Sequence, residues 1–335
     1  MTDVDIIPVS GLDTDGPGIR RFDAWADLFS TAVGHDLGAE PDERSAHELR
    51  VASSNPAIER IRYAARTPSG ATIGALDLAL PLQDNTSHAF LRVAVDPGAR
   101  RCGIGARLAD LGEDLARARG RRTVQGQVAA APEPAALSPG AAFARVRGYT
   151  LAQTLNRSDV STLAASGALA PPPAGYRIET VVGALPDAWL AAYALFQQRM
   201  STDIPLGELA LEEEAWDVER VAAHRDRLIR MGRTCVITMA VDAAGAPVGF
   251  TEIQHHPSLG ALAYQQDTLV LGEYRGHGLG LTLKATNLAA LREALPCVET
   301  VRTWNADDNT HMLAVNRALG YRPSGLLTEW QLHLA

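Results

Sequence analysis

"EYRGHGLGLTLKATN", Glu273 to Asn287, sets three alternate glycines, Gly276, Gly278 and Gly280, between an extended run and a helix-like one. A second stretch, "GARRCGIGARLADLG" from Gly98 to Gly112, has nearly the same shape. A strand that ends in such a turn and feeds a helix gathers unpaired backbone N–H groups and the positive end of the helix dipole around one point, which attracts a phosphate. Glycine is needed because a Cβ would obstruct both the positive φ values and the close approach of a ligand. Two phosphate-binding patterns fail on spacing. The dinucleotide fingerprint G-x-G-x-x-G finds Leu281 or Thr282 where its last glycine belongs, and in a P-loop reading Lys284 comes four residues late with Ala285 after it.

The neighbourhoods of the two turns repeat as well. In the second half, helical spacing covers Pro186 to Met200 and Glu212 to Arg230, followed by a hairpin, "TCVITMAV" and "PVGFTEIQHH", and the strand "LAYQQDTLVL". After the turn come a helix from about Leu279 to Leu295, the strand "TVRTW" and a helix from about Asn309 to Leu319. The first half has the same order: the hairpin "RIRYAAR" and "ATIGALDLAL", the strand "HAFLRVAV", the turn, a helix and the strand "RTVQGQVA". Arg100 and Arg275 are 175 positions apart, and Gly148-Tyr149 and Gly320-Tyr321 are 172 apart, so the chain reads as a duplicated domain. Between the copies, "STLAASGALAPPPAGYR" from Ser161 to Arg177 is rich in Ala, Gly and Pro and reads as a linker. The expected division is residues 1–160, a linker over 161–175, and 176–335.

Composition narrows the function classes. A length of 335 residues with 46% hydrophobic content suits two ordinary domains. Cys102, Cys235 and Cys297 are far apart, leave one over if paired and have no metal-ligand spacing, which implies reduced thiols in a cytoplasm. The N-terminus has no signal-peptide pattern, and no apolar run approaches the ~18 residues that span a bilayer. A net charge of −8 argues against a nucleic-acid partner. Oligomeric state is left open.

Both turns share a longer pattern: a Val five residues before an Arg, two free positions, Gly, one free position, then Gly. Val95, Arg100, Gly103 and Gly105 obey it in one half, and Val270, Arg275, Gly278 and Gly280 in the other. This resembles the acyl-CoA pyrophosphate loop of the GCN5-related N-acetyltransferase (GNAT) family, and the tandem arrangement resembles its two-domain members. The resemblance implies an α/β (α+β) fold of two tandem domains, each a mixed, mostly antiparallel twisted sheet with a splayed parallel strand pair and flanking helices. It implies acetyl-CoA as acyl donor, no metal, and transfer to the primary amine of a small molecule. A non-catalytic acyl-CoA sensor and a protein or peptide N-acetyltransferase are the alternatives. The implied CoA contacts are Val270, Leu271, Arg275, Gly276, His277, Gly278, Leu279, Gly280, Asn305 and Asn309, with Val95, Arg100, Arg101, Gly103, Ile104 and Gly105 in the first half.

Members of the family carry an Asn and, seven residues later, a Tyr that protonates the departing thiolate. Asn309 matches the first, but Asn316 stands at the second, leaving an amide as the donor. In the first half, Leu137 and Ala144 replace both, so turnover is expected in the second half alone. An ammonium acceptor must lose a proton before it attacks a thioester. Asp267, three residues before Val270, is the candidate base, with Arg92 at the matching place in the first half; Glu252 is the second candidate. A strand-edge carboxylate with a structural role is the competing reading of Asp267. Backbone amides near Val270 and Leu271 should polarise the thioester carbonyl. Asp203, Glu208 and Glu212 suit a cationic acceptor or oppose a helix dipole. His255-His256 reads as a wet loop, and Cys102 as a tolerated small residue.

Overall fold

The computed structural model describes residues 4–37, 44–130, 138–163 and 171–334. It divides into two compact units, each with the same succession of elements. Unit 1 comprises β1 (Asp5–Pro8), α1 (Gly16–Leu37), α2 (Ala46–Ser53), β2 (Ile58–Arg66), β3 (Thr72–Pro81), β4 (His88–Val95), α3 (Ile104–Ala118), β5 (Thr123–Ala130), α4 (Pro139–Val146) and the start of β6 (Thr150–Ser161). Unit 2 continues from the rest of β6 through β7 (Tyr176–Val182), α5 (Leu190–Asp203), α6 (Val218–Arg230), β8 (Thr234–Asp242), β9 (Pro247–His255), β10 (Leu262–Val270), α7 (Leu279–Ala294), β11 (Thr300–Ala306) and α8 (Thr310–Ala318) to the start of β12 (Arg322–His333).

In each unit a run of antiparallel strands ends in one parallel pair. In unit 1 β1 to β4 are antiparallel neighbours and β4 lies parallel to β5; in unit 2 β7 to β10 are antiparallel and β10 lies parallel to β11. Alternation along each strand separates two cores. In unit 2, Trp189, Tyr193, Phe196, Val221 and Leu228 pack with Ile237, Met239 and Phe250 on one face, while Leu279, Leu283, Leu288 and Leu291 of α7 cover the other. In unit 1, Phe22, Trp25 and Phe29 of α1 cover Ala64, Ala75 and Ala94, and Ile104 and Leu108 of α3 cover the opposite face.

The last strands are exchanged relative to the halves 1–160 and 176–335. Residues 326–333 of β12 pair with β5 in unit 1, and residues 155–161 of β6 pair with β11 in unit 2. Of the expected linker, 164–170 lies outside the described residues, Ser161 ends β6, and Tyr176 begins β7. Helix α6 starts at Val218 instead of Glu212 because Asp217 caps it, its side chain accepting from the Arg220 N–H.

Candidate active site

The two glycine turns have the shape the sequence implies. Gly103 and Gly278 sit in the left-handed region at φ 83° and 77°, each the residue before its helix, and neither helix has a side-chain cap. No heavy atom lies within 4 Å of where a Cβ would sit on Gly276, Gly278 or Gly280. The first N–H of α7 to find an acceptor is that of Thr282, on the Gly278 carbonyl, and in α3 it is that of Arg107, on Gly103. The amides of 276–281 and 101–106 therefore have no partner among the described residues and point outward from a helix start. Leu279 and Ile104 offer only their backbone, since both side chains are buried in the cores. His277 is exposed against Tyr176. Arg101 takes φ 64°, so the first turn keeps the shape of the second without the glycine found at Gly276.

The arginines of the motif brace these turns. Arg275 Nε donates to the Val270 carbonyl at 2.9 Å and its Nη2 pairs with Asp203, the last residue of α5, at 2.9 Å. Arg100 repeats both contacts, with the Val95 carbonyl at 3.2 Å and Asp36 of α1 at 2.7 Å. Asp203 is thereby committed to the turn and does not stand free for an acceptor, which corrects the expectation from sequence. Glu208 lies on 207–210, a piece that belongs to unit 1.

Beside the turn, β10 and β11 are paired only over Leu262–Tyr264 and Thr300–Arg302 before they part. The Leu271 N–H is used by the Val248 carbonyl, so Leu271 does not supply the polarising amide expected of it. The alternation of an antiparallel ladder then turns the N–H of Val270 away from β9 and towards the gap. Val270 alone keeps that role.

The two candidate bases differ sharply. Glu252 is 1% exposed and receives Arg225 Nη1 on both oxygens at 2.8 and 3.0 Å, Tyr193 Oη at 2.8 Å and Gln254 Nε2 at 2.7 Å. Burial raises its pKa, but the Arg225 charge and these hydrogen bonds outweigh it and hold the carboxyl below its usual range. Glu252 is a satisfied structural anion, which removes it as a base. Asp267 is partly exposed and, among the described residues, accepts one side-chain hydrogen bond, from Gln197 at 3.0 Å, and faces no cation at salt-bridge distance. Burial, with the charges of Glu252 and Glu214, pushes it up to about 6 against that hydrogen bond. Gln197 and Glu214, neither singled out from sequence, complete this setting from α5 and the segment before α6.

The asparagines depart from expectation in part. Asn309 is the N-cap of α8, its Oδ1 accepting from the Met312 N–H at 3.1 Å. Asn316 is 3% exposed and donates Nδ2 to Asn305 Oδ1 at 2.6 Å, so one of the two N–H groups expected to serve a departing thiolate is already used. Among the described residues Asn316 Oδ1 and Tyr321 Oη are buried without a partner, and the ammonium of Lys284, the only lysine of the chain, lies 5.0 Å from the Tyr321 ring. Lys284 is 1% exposed, and burial lowers its pKa to about 7. Sequence reading passed over it because a lysine in a helix after a glycine turn usually lies in solvent.

Unit 1 presents the same frame with the charge reversed at the place of Asp267. Asp77 occupies the place of Glu252 and is held by Arg60 at 3.1 Å and Arg62 at 3.0 Å. Arg92 occupies the place of Asp267 and stacks on Phe29. Leu137 lies outside the described residues; Ala144 is buried in α4. His255 is buried on the Gly260 carbonyl and His256 bonds Ser258, so the pair belongs to the turn after β9. Cys102 is exposed in the first turn.

A glycine turn before an uncapped helix, at a parallel pair that parts in an otherwise antiparallel sheet, is the arrangement that the resemblance to the GNAT family implies. The model of the Acetyltransferase (GNAT) family matches residues 32–138. A tandem GNAT protein from the clavulanic acid biosynthesis pathway, solved without AcCoA, is 27% identical with a TM-score of 0.83, over 99% of this chain and 98% of that one. A GCN5-related N-acetyltransferase from Sphaerobacter thermophilus (17%, TM-score 0.69, 99% and 97%) and a putative acetyltransferase from Pyrococcus horikoshii (11%, 0.59, 100% and 91%) share the fold. Among curated proteins there is no match. Residues 32–138 thus match a GNAT acetyltransferase domain and the whole chain is similar to a tandem GNAT protein, and the two matches together support an acetyltransferase of the type that takes acetyl-CoA as donor. No helix among the described residues is long and apolar enough to cross a membrane.

The turns fit the pyrophosphate of that donor, since their free amides and open glycines converge on one point. Gly278→Asp should weaken acetyl-CoA binding by about 10- to 100-fold, by placing a carboxylate where the phosphate belongs and a Cβ at positive φ. Calorimetry on the folded variant checks this.

Proposed function

We propose that unit 2 transfers an acetyl group from acetyl-CoA to a primary amine of a small molecule by direct attack on the thioester, with Asp267 as general base. The observation that carries this reading is the state of Asp267: partly exposed, lightly hydrogen-bonded and titrating near 6, while its neighbour Glu252 is locked in an ion pair. A carboxylate of that pKa is ionised at neutral pH yet basic enough to take a proton from an ammonium as it attacks. Acetyl-CoA, when bound, supplies the activated acyl group. The free amides of 276–281 hold its phosphates, and the Val270 N–H faces the gap in which a thioester oxygen would gain charge. Asn316 gives one N–H to Asn305 and keeps the other, and a thiol of pKa about 8.5 leaves as thiolate with little help. Asp267 and Glu214 together favour a cationic acceptor.

The family-model match falls on the first half, and this favours a second reading in which unit 1 turns over. Arg92 at the place of the base speaks against it, because a guanidinium takes no proton at neutral pH. A thiol-release assay with acetyl-CoA against aminoglycosides, polyamines, amino acids and cysteinyl compounds tests the activity, and two variants assign it. Gly278→Asp should abolish most turnover while a folded Gly103→Asp keeps it; the reverse pattern would move the reaction to unit 1.

A further inference from the structure

A polar layer crosses the core of unit 2 where β10 and β11 part. Below it lies an apolar cluster in which Leu288 of α7 packs with Ile253, Ala263, Val301 and Tyr321. Lys284 stands one helical turn before Leu288 on the same side of α7. Alternation along the strands carries the sheet's next residues onto that face. Gln265 follows Ala263 by two positions and lies opposite Ile253, Thr251 and Thr268 come next and share a hydrogen bond at 2.7 Å, and Thr303 and Asn305 follow Val301. The strands are paired only as far as Tyr264 and Arg302, so the layer begins at their opening. Glu252 and Asp267 belong to the opposite face, where they meet Tyr193 and Gln197 of α5.

This layer is dry of solvent exposure, yet its hydrogen bonds are incomplete. Thr251, Gln265, Lys284, Thr303 and Asn316 are each 5% exposed or less. Gln265 gives Nε2 to the Thr251 hydroxyl at 2.9 Å and to the Glu252 carbonyl at 2.7 Å, and its Oε1 has no donor among the described residues. Asn316 Oδ1 and Tyr321 Oη are in the same condition, and the Lys284 ammonium, over the Tyr321 ring, has no acceptor there. Tyr321 donates its backbone N–H to the Asn316 carbonyl at 3.0 Å and Asn316 reaches Asn305, so the set runs without a break from α7 to β11. Buried groups left unpaired are costly, and a buried ammonium beside two carbonyl-type oxygens offers a water the two to four partners it needs.

We propose that Lys284 is the proton donor of unit 2, acting on the departing CoA thiolate through water held by Gln265 Oε1 and Asn316 Oδ1. This rests on the reading of unit 2 as the unit that turns over. As the acceptor nitrogen bonds to the carbonyl carbon and the C–S bond breaks, the electron pair of that bond goes to sulfur. Sulfur takes a proton from the water, the ammonium returns one to it, and Lys284 stays a neutral amine until solvent reprotonates it. The proton taken by Asp267 leaves from the other face. Burial alone sets the ionisation of Lys284: Tyr321 faces it as a neutral phenol, Asp159 acts on that phenol, and no charged group of β7 to β10 or α8, the elements packed on α7, acts on the ammonium. At about 7, its pKa lies below that of a thiol near ~8.5, so the transfer runs downhill.

Because Lys284 is the only lysine, protein isotope-labelled at the lysine side chain gives a single NMR signal for it. That signal should titrate near pH 7 in the free protein, and CoA should shift it in wild type but not in Gly278→Asp. Kinetics read the step itself, with the best amine of the panel or water as acceptor. Wild-type kcat should fall above an apparent pKa of about 7. Lys284→Met should lose that falling limb and, below it, lower kcat by about 10- to 100-fold with KM for acetyl-CoA near wild type. A signal that titrates near the ordinary lysine value, a signal unmoved by CoA, or full kcat in Lys284→Met would each overturn the proposal. A rising limb lost in Asp267→Asn with the falling limb kept in Lys284→Met would leave the reading of unit 2 standing and remove the donor alone. CoA release that Gly278→Asp does not slow would remove that reading, and the donor with it.

Discussion

Asp267→Asn is expected to lower kcat by about 10²- to 10⁴-fold while acetyl-CoA affinity stays near wild type. The amide keeps the size of the side chain and can still accept from Gln197, but it takes no proton. Because Asp267 titrates near 6, wild-type kcat/KM should rise with pH through an apparent pKa of about 6, as the base becomes ionised. The variant lacks that step and recovers in part at high pH, where the amine deprotonates unaided. Stability separates this from simple damage. A carboxyl whose folded pKa lies above its ordinary value costs the fold stability once ionised, so Asp267→Asn should melt no lower than wild type above pH 6. Full activity in Asp267→Asn at neutral pH excludes it as the base.

Lys284→Met should stabilise the protein, and by an amount that depends on pH in a defined direction. The folded-state pKa of about 7 lies below the ordinary lysine value near 10.4, so between these limits the unfolded chain binds the extra proton and wild-type stability rises with pH. The proton linkage amounts to about 4 kcal/mol at pH 7 and about 2 kcal/mol at pH 9. Methionine fills a similar volume without an amine to desolvate, so the variant should exceed wild type by roughly those amounts. Denaturant melts at the two pH values read the difference directly. A gap that is absent, or that does not shrink from pH 7 to pH 9, would show that Lys284 is not buried without a counter-charge.

Much of the fold was legible because its signals are local. The glycine turns, the Val and Arg at fixed distances before them and the hairpins all lie within short windows, and their repetition at a near-constant offset made the duplication readable. Asp267 could be picked out by its distance from Val270. What that carboxylate experiences could not, because Gln197 reaches it from 70 residues away. Glu252 stood as the second candidate base until Arg225 and Tyr193, 27 and 59 residues off, met it in the core. Arg275 read as an anion ligand, yet Asp203, 72 residues earlier, turns it into a brace.

Sequence by itself determined the order of elements, the two phosphate turns and the residue types available at each, since steric limits on φ and the periodicity of apolar side chains act between near neighbours. Only the tertiary structure decided which charged groups are free to react. It paired Glu252, raised the pKa of Asp267 to about 6, buried Lys284 with no carboxylate beside it among the described residues, and paired Asp77 with Arg60 and Arg62 in unit 1. It also exchanged the last strands, pairing residues about 200 positions apart. Ionisation and strand partnership depend on desolvation and on contacts between distant segments, and neither is encoded in any short window of the chain.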